Sequence, residues 1–169
     1  MTNFIEIKPN ELTKNPFEMI GKEWMLITAQ KDGFCNTMTA SWGGFGIMWN
    51  KPVAYIVVRP QRFTKEFLDA STTLSLTFFD EKYREELAYL GRVSGRDEDK
   101  IANAEFSIEH DGETPYFKEA NTVLICKKLF NQPFEPASFI DSDIIPKMYP
   151  DKDFHTLYIV EIEKVFIRQ

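Results

Sequence analysis

The chain has 169 residues, enough for a single domain over 1–169 with a substantial core, and too few for a second complete one. Its formal net charge of −6 excludes a surface that binds nucleic acid through clustered Lys and Arg. Two distant cysteines, Cys35 and Cys126, lack CxxC spacing and nearby His ligands, which excludes a structural zinc site or a thioredoxin-type dithiol and fits reduced thiols.

Met1 to Asn10 carry no basic stretch followed by an apolar run, and no segment approaches the ~20 apolar residues that span a bilayer. A cytoplasmic protein without membrane contact is expected. Short runs of period two then dominate, as half-buried strands require. The first is Trp24 to Gln30 and the second Cys35 to Ser41, with Asp32-Gly33 between them, a pair that tolerates positive φ in a tight turn. These two strands are expected to pair antiparallel.

Within the second strand, Asn36-Thr37-Met38-Thr39-Ala40-Ser41-Trp42 places Thr37, Thr39 and Ser41 on one face. Small residues there let a planar ligand approach backbone N–H and C=O groups, although the same run also reads as a Thr-rich edge strand. A strand at Ala54 to Arg59 leads into Arg59-Pro60-Gln61-Arg62-Phe63-Thr64 and a short helix, Thr64 to Ala70. Thr64 as N-cap, the free N–H groups of the next turn and two arginines make an anion site. The alternative is that Arg59 and Arg62 are solvated or paired with surface carboxylates.

Leu74 to Phe79 is a further strand, and Tyr83 to Leu90 a helix with Tyr83, Leu87 and Leu90 on one face. Gly91 to Lys100 follows, in which Ser94 is placed to cap a helix over Asp97 to Ala104, Gly95 permits a turn, and Lys100 can reach an anion. That stretch reads equally as an ordinary charged connection. Strands at Val123 to Asn131 and Leu157 to Ile167 close the pattern, the last with Tyr158, Val160, Ile162 and Phe166 on one face. Between them, Gln132 to Pro150 is an excursion rich in Pro and Asp, either a lid or dimer arm or a plain connection.

The elements predict an all-β dominated fold, an antiparallel barrel with peripheral short helices. Fifteen Phe, six Tyr and three Trp serve a large core, an aromatic ligand site or a subunit interface, which composition does not rank. His155, before the last strand, is a lone His and so first a structural one, His110 reads as a turn residue, and Cys126 as a buried apolar group. Cys35 lies next to the Thr-rich run but has no assigned thiol chemistry. No catalytic nucleophile, acid–base pair or metal site emerges.

Taken together, the Asn36 to Trp42, Arg59 to Thr64 and Ser94 to Lys100 runs resemble, in order and separation, the flavin-reductase-like FMN-binding family, and its flavoredoxin-like branch in particular. The resemblance extends from about Pro16 to Phe166. It implies a homodimeric split β-barrel of antiparallel Greek-key type that binds FMN near the subunit boundary. Met38, Thr39, Ala40, Ser41 and Trp42 would follow the isoalloxazine and ribityl parts, with Asn36 a further cofactor-binding residue. Arg59, Gln61, Arg62, Phe63 and Thr64 would surround the phosphate end, supported by Ser94, Gly95 and Lys100. The implied activity is electron transfer through the flavin, with NAD(P)H or a redox partner protein as donor or acceptor. Two rivals stand beside it, a flavin-carrying electron-transfer protein without NAD(P)H activity and a non-catalytic ligand-binding barrel.

Overall fold

The computed structural model describes residues 3–169; Met1 and Thr2, which begin the single domain expected over 1–169, lie outside the described residues. Ten strands follow in order: β1 (Phe4–Ile7), β2 (Met25–Lys31), β3 (Phe34–Ala40), β4 (Gly43–Met48), β5 (Lys51–Val58), β6 (Thr73–Phe78), β7 (Ile108–Asp111), β8 (Thr114–Phe117), β9 (Thr122–Pro133) and β10 (Thr156–Arg168). Five short α-helices accompany them among the described residues: α1 (Pro16–Glu18), α2 (Thr64–Ala70), α3 (Arg84–Arg92), α4 (Lys100–Asn103) and α5 (Ile144–Met148).

The main sheet runs β3-β2-β6-β9-β10-β5-β4, with β1 added on β10, while β7 and β8 form a separate hairpin. Every pairing is antiparallel. β3 and β4 are consecutive in the chain yet sit at opposite ends of this path, so the barrel stays split. The expected fold class, antiparallel strands with few short helices, is what the chain forms.

Turn chemistry fixes the hairpins. Asp32 and Gly33 have φ of 51° and 81°, the two positive values a two-residue turn needs to match strand twist, and Lys31 pairs with Phe34 across them. Trp49 and Asn50, with φ of 50° and 59°, do the same between β4 and β5. β4 escaped the sequence reading because its glycines, Gly43, Gly44 and Gly46, weaken a period-two signal. One of them is required: Gly43 has φ 146°, and a Cβ there would overlap the Tyr55 carbonyl oxygen.

Two apolar clusters lie on the two faces of the sheet. One joins Met25, Ile27, Met38, Ala54, Ile56, Leu74, Leu76, Tyr158 and Val160 with Phe67 and Leu68 of α2. The other packs Leu26, Val123 and Ile125 against Leu87 and Leu90 of α3, Ile101 of α4 and Phe117 of β8. β10 serves both through a register shift between Ile162 and Lys164. That bulge reverses the alternation, so Val165 and Ile167 continue the face of Tyr158 and Val160 while Phe166 turns to the other cluster. The expectation that Phe166 shares the Tyr158 face is thereby corrected. No helix among the described residues is long and apolar enough to cross a membrane.

Candidate functional site

β3 is an edge strand, so one row of its backbone groups has no strand partner and is open to other ligands. Its end and the following turn, Met38, Thr39, Ala40, Ser41 and Trp42, converge with Arg59 and Arg62 on a cleft of about 240 Å3, completed by Val57 and His155. The two segments that the sequence singled out separately therefore share one concavity. Thr37 does not reach it: fully buried, it donates to the Ile27 carbonyl at 3.1 Å and bonds the Thr28 hydroxyl at 2.9 Å. Thr39 donates to the Leu87 carbonyl of α3 at 2.5 Å.

Other expected positions sit elsewhere. Asn36, Phe63, Gly95 and Lys100 line a second cavity of about 500 Å3, together with Phe34 and Cys35. Gln61, Thr64 and Ser94 line neither concavity. Thr64 is the first residue of the seven-residue α2 rather than its N-cap, and its buried hydroxyl accepts from Asn36 Nδ2 at 2.9 Å. The backbone N–H groups of Lys65 and Glu66 already donate to Arg62 and Phe63 carbonyls at 3.0 and 3.1 Å. The helix-start anion site predicted there is therefore not formed by those groups.

The Ser94 to Lys100 segment is also rearranged. Ser94 accepts from the Arg96 N–H at 3.2 Å in a local turn, while Asp99 caps α4 by accepting from the Ala102 N–H at 3.1 Å. The helix expected over Asp97 to Ala104 shrinks to Lys100–Asn103 because the cap lies later than Ser94. Gly95 packs so closely against Asn36 that a Cβ would overlap its Oδ1.

Electrostatically, Arg62 and Lys100 stand apart from the other cations of the region. Lys100 is only 4% exposed, and its Nζ donates to the Leu90 and Val93 carbonyls at 2.8 and 2.9 Å, capping the end of α3. Burial, then the charge of Arg62, pushes its pKa down to about 8. Arg62 donates to the Gly91 carbonyl at 2.8 Å and to the Thr39 carbonyl at 3.4 Å, and burial lowers its pKa. Neither cation has a carboxylate partner among the described residues. Two adjacent, uncompensated, largely desolvated cations are costly alone and suit a dianion.

Arg59 and Gln61 are differently engaged. Both donate to Asp153, Gln61 at 2.7 Å, and Arg59 also to the Met148 carbonyl at 2.9 Å. Those bonds, first Gln61 and then Arg59, hold the Asp153 carboxyl below its usual range. The excursion after β9 is thus a strap anchored beside the cleft, carrying Phe139, Tyr149 and Phe154 in one aromatic cluster that reaches His155. His155 is 7% exposed, with its ring centroid 5.2 Å from that of Trp42. Burial, then Arg59, pushes its pKa down to about 4, so it is neutral at physiological pH. Sequence reasoning read His155 first as a structural residue and missed Val57, Tyr149 and Asp153; nothing local distinguishes the last two from other residues of the excursion. Cys35 lies outside the cleft, half-buried, with its thiol pushed up by burial. No group of three or more His, Cys, Asp or Glu among the described residues is placed to hold a metal ion.

Comparison with known proteins agrees with this architecture. No curated protein matches the sequence. Among solved structures, an FMN-binding domain of a flavin reductases-like enzyme from Shewanella baltica OS155 is 18% identical, with a TM-score of 0.71 over 98% of this chain and 78% of that one. Flavoredoxin from Methanosarcina acetivorans is 20% identical, TM-score 0.68, covering 87% of this chain and 69% of that one. Flavoredoxin of Desulfovibrio vulgaris (Miyazaki F) is 21% identical, TM-score 0.66, covering 86% and 69%. These identities speak for the fold alone. The family model for the flavin reductase like domain matches residues 18–169, nearly the whole chain, and the protein is therefore a member of the flavin reductase like domain family.

Proposed function

We propose that this chain folds as one domain, binds FMN along β3 and the Arg62 turn, and works as an FMN-dependent oxidoreductase in a homodimer. The observation that carries the reading is the half-buried Arg62, which lines the β3 cleft without a carboxylate partner, together with the buried Lys100, which borders the neighbouring cavity and whose pKa the Arg62 charge helps to lower. A phosphate dianion neutralises that pair, and the remaining guanidinium N–H groups of Arg62 are suited to hold it. Met38, Thr39, Ala40, Ser41 and Trp42 are the residues that would bracket the ring system. The small side chains of Thr39, Ala40 and Ser41 bring the unpaired edge of β3 within hydrogen-bonding reach of its polar rim. Phosphate binding is assigned to Arg62 and Lys100 rather than to Arg59 and Gln61, because Asp153 already holds the latter two. Asn36, Phe63, Thr64, Ser94 and Gly95 support this arrangement through packing and local bonds.

When bound, the flavin supplies the redox chemistry, and the protein supplies position, shape and electrostatics. The chain therefore needs no nucleophile. NAD(P)H is the proposed donor; without a Gly-rich dinucleotide motif, the nicotinamide must reach the flavin without a Rossmann domain. Titration with FMN tests the site: Arg62→Ala should weaken retention at least tenfold, about the loss of one charge-assisted bond, with the fold intact. Unchanged affinity in that variant would remove the phosphate assignment. Anaerobic mixing with NADH or NADPH tests the donor, since bleaching marks a reductase and persistent yellow marks a carrier served by a redox protein.

A further inference from the structure

The Tyr149 hydroxyl lies 2.7 Å from His155 Nδ1, inside the aromatic strap, and Tyr149 is only 3% exposed. Either atom can hold the proton in isolation, but the surroundings decide. Tyr149 makes no other side-chain hydrogen bond among the described residues. Were Nδ1 protonated, the phenolic proton would be left in the interior without an acceptor, a state that buried hydroxyls avoid. With Tyr149 donating instead, Nδ1 accepts and the imidazole proton resides on Nε2. Burial raises the phenol pKa, which keeps Tyr149 protonated as a donor.

Nε2 has no hydrogen-bond partner among the described residues, nor is it among the buried polar atoms sealed from solvent. The two ring nitrogens point in diverging directions, so a ring that offers Nδ1 to the strap turns Nε2 away from it. His155 also lines the cleft beside Trp42. We propose that Tyr149 is a positioning residue that locks His155 in the neutral Nε2–H form, and that this N–H is donated to a ring carbonyl of the flavin. This rests on the reading of the cleft as a flavin site. A neutral N–H suits an uncharged carbonyl oxygen, and the lock fixes its direction before binding.

The test uses the full chain labelled with 15N, with and without FMN, and long-range 1H–15N correlations of its two histidines. His110, exposed and bonded to Gln30, serves as the internal reference. The expected result is a single Nε2–H form of His155 without flavin, a moved Nε2 resonance with FMN, and mixed tautomers in Tyr149→Phe. That variant should also bind FMN about fivefold more weakly, the effect of one misdirected neutral bond. A dominant Nδ1–H form in the wild type, or the same tautomer in Tyr149→Phe, overturns the lock without touching flavin binding. Flavin absorbance read in the same samples separates the two claims. FMN bound with the Nε2 resonance unmoved overturns the donor role alone, and FMN not bound overturns the site reading and the donor role with it.

Discussion

Lys100 illustrates how one residue carries both fold and affinity. Its ammonium ties off the carbonyls at the end of α3, yet burial and Arg62 bring its pKa to about 8, within reach of ordinary buffers. A bound phosphate dianion favours the charged form, so above pH 8 binding must first protonate Lys100 and affinity falls as pH rises. FMN titrations across that range should show this decline, and Lys100→Met should flatten it while lowering affinity throughout. His155 acts in the opposite range. Its folded pKa, about 4 against 6.5 when free, lies below its unfolded value, so the unfolded chain binds the proton more readily. The neutral ring's contribution to stability is full above the unfolded value and is lost as pH falls toward 4. Denaturant unfolding from pH 7 to 4 should lose less stability in His155→Asn than in the wild type. At this scale the sequence made the cations visible but not their neighbours. A carboxylate partner for Arg59 was one of the two readings the sequence left open, but its identity was not legible because Asp153 is distant in sequence and only the folded strap brings it to Arg59 and Gln61.

Among the elements, those defined by local chemistry were legible and those defined by tertiary contacts were not. The β2–β3 hairpin follows from Asp32-Gly33, where the turn demands two positive φ values that few residue pairs supply. β4 does not, since Gly43, Gly44 and Gly46 leave it few side chains to show an alternation. The face of Phe166 was misread because a bulge leaves no local signature in β10. The cap of α4 was misplaced because Ser94 and Asp99 both carry capping side chains, and the chain uses the second. Gly95 makes the connecting turn testable. Adding a methyl group there forces Asn36 from its bond to Thr64, so Gly95→Ala should cost about 1–3 kcal/mol of stability in chemical denaturation. A wild-type midpoint in that variant would mean that the α3–α4 turn is free to shift away from β3.

For the molecule as a whole, the split between β3 and β4 is the feature that makes a ligand groove possible. A closed barrel would satisfy the β3 edge with another strand, whereas here Arg62 takes the Thr39 carbonyl and the edge has no second strand partner among the described residues. Antiparallel class and short helices were readable from period-two runs; the strand order was not, because pairing partners such as β6 and β9 are far apart in sequence. The proposed homodimer has apolar surface available: Ile47 is 70% exposed and Trp49 56%, beside the half-open Phe130. Sedimentation at low micromolar concentration should give twice the mass of one chain, and a monomer alone would remove the dimer from the account. The central claim, that β3 and the Arg62–Lys100 pair together hold one phosphorylated flavin, meets its most direct test in visible absorption after FMN is added and unbound ligand removed. The account predicts retained flavin bands and one FMN released per chain on denaturation; a colourless protein from which all added FMN has been washed away would contradict it.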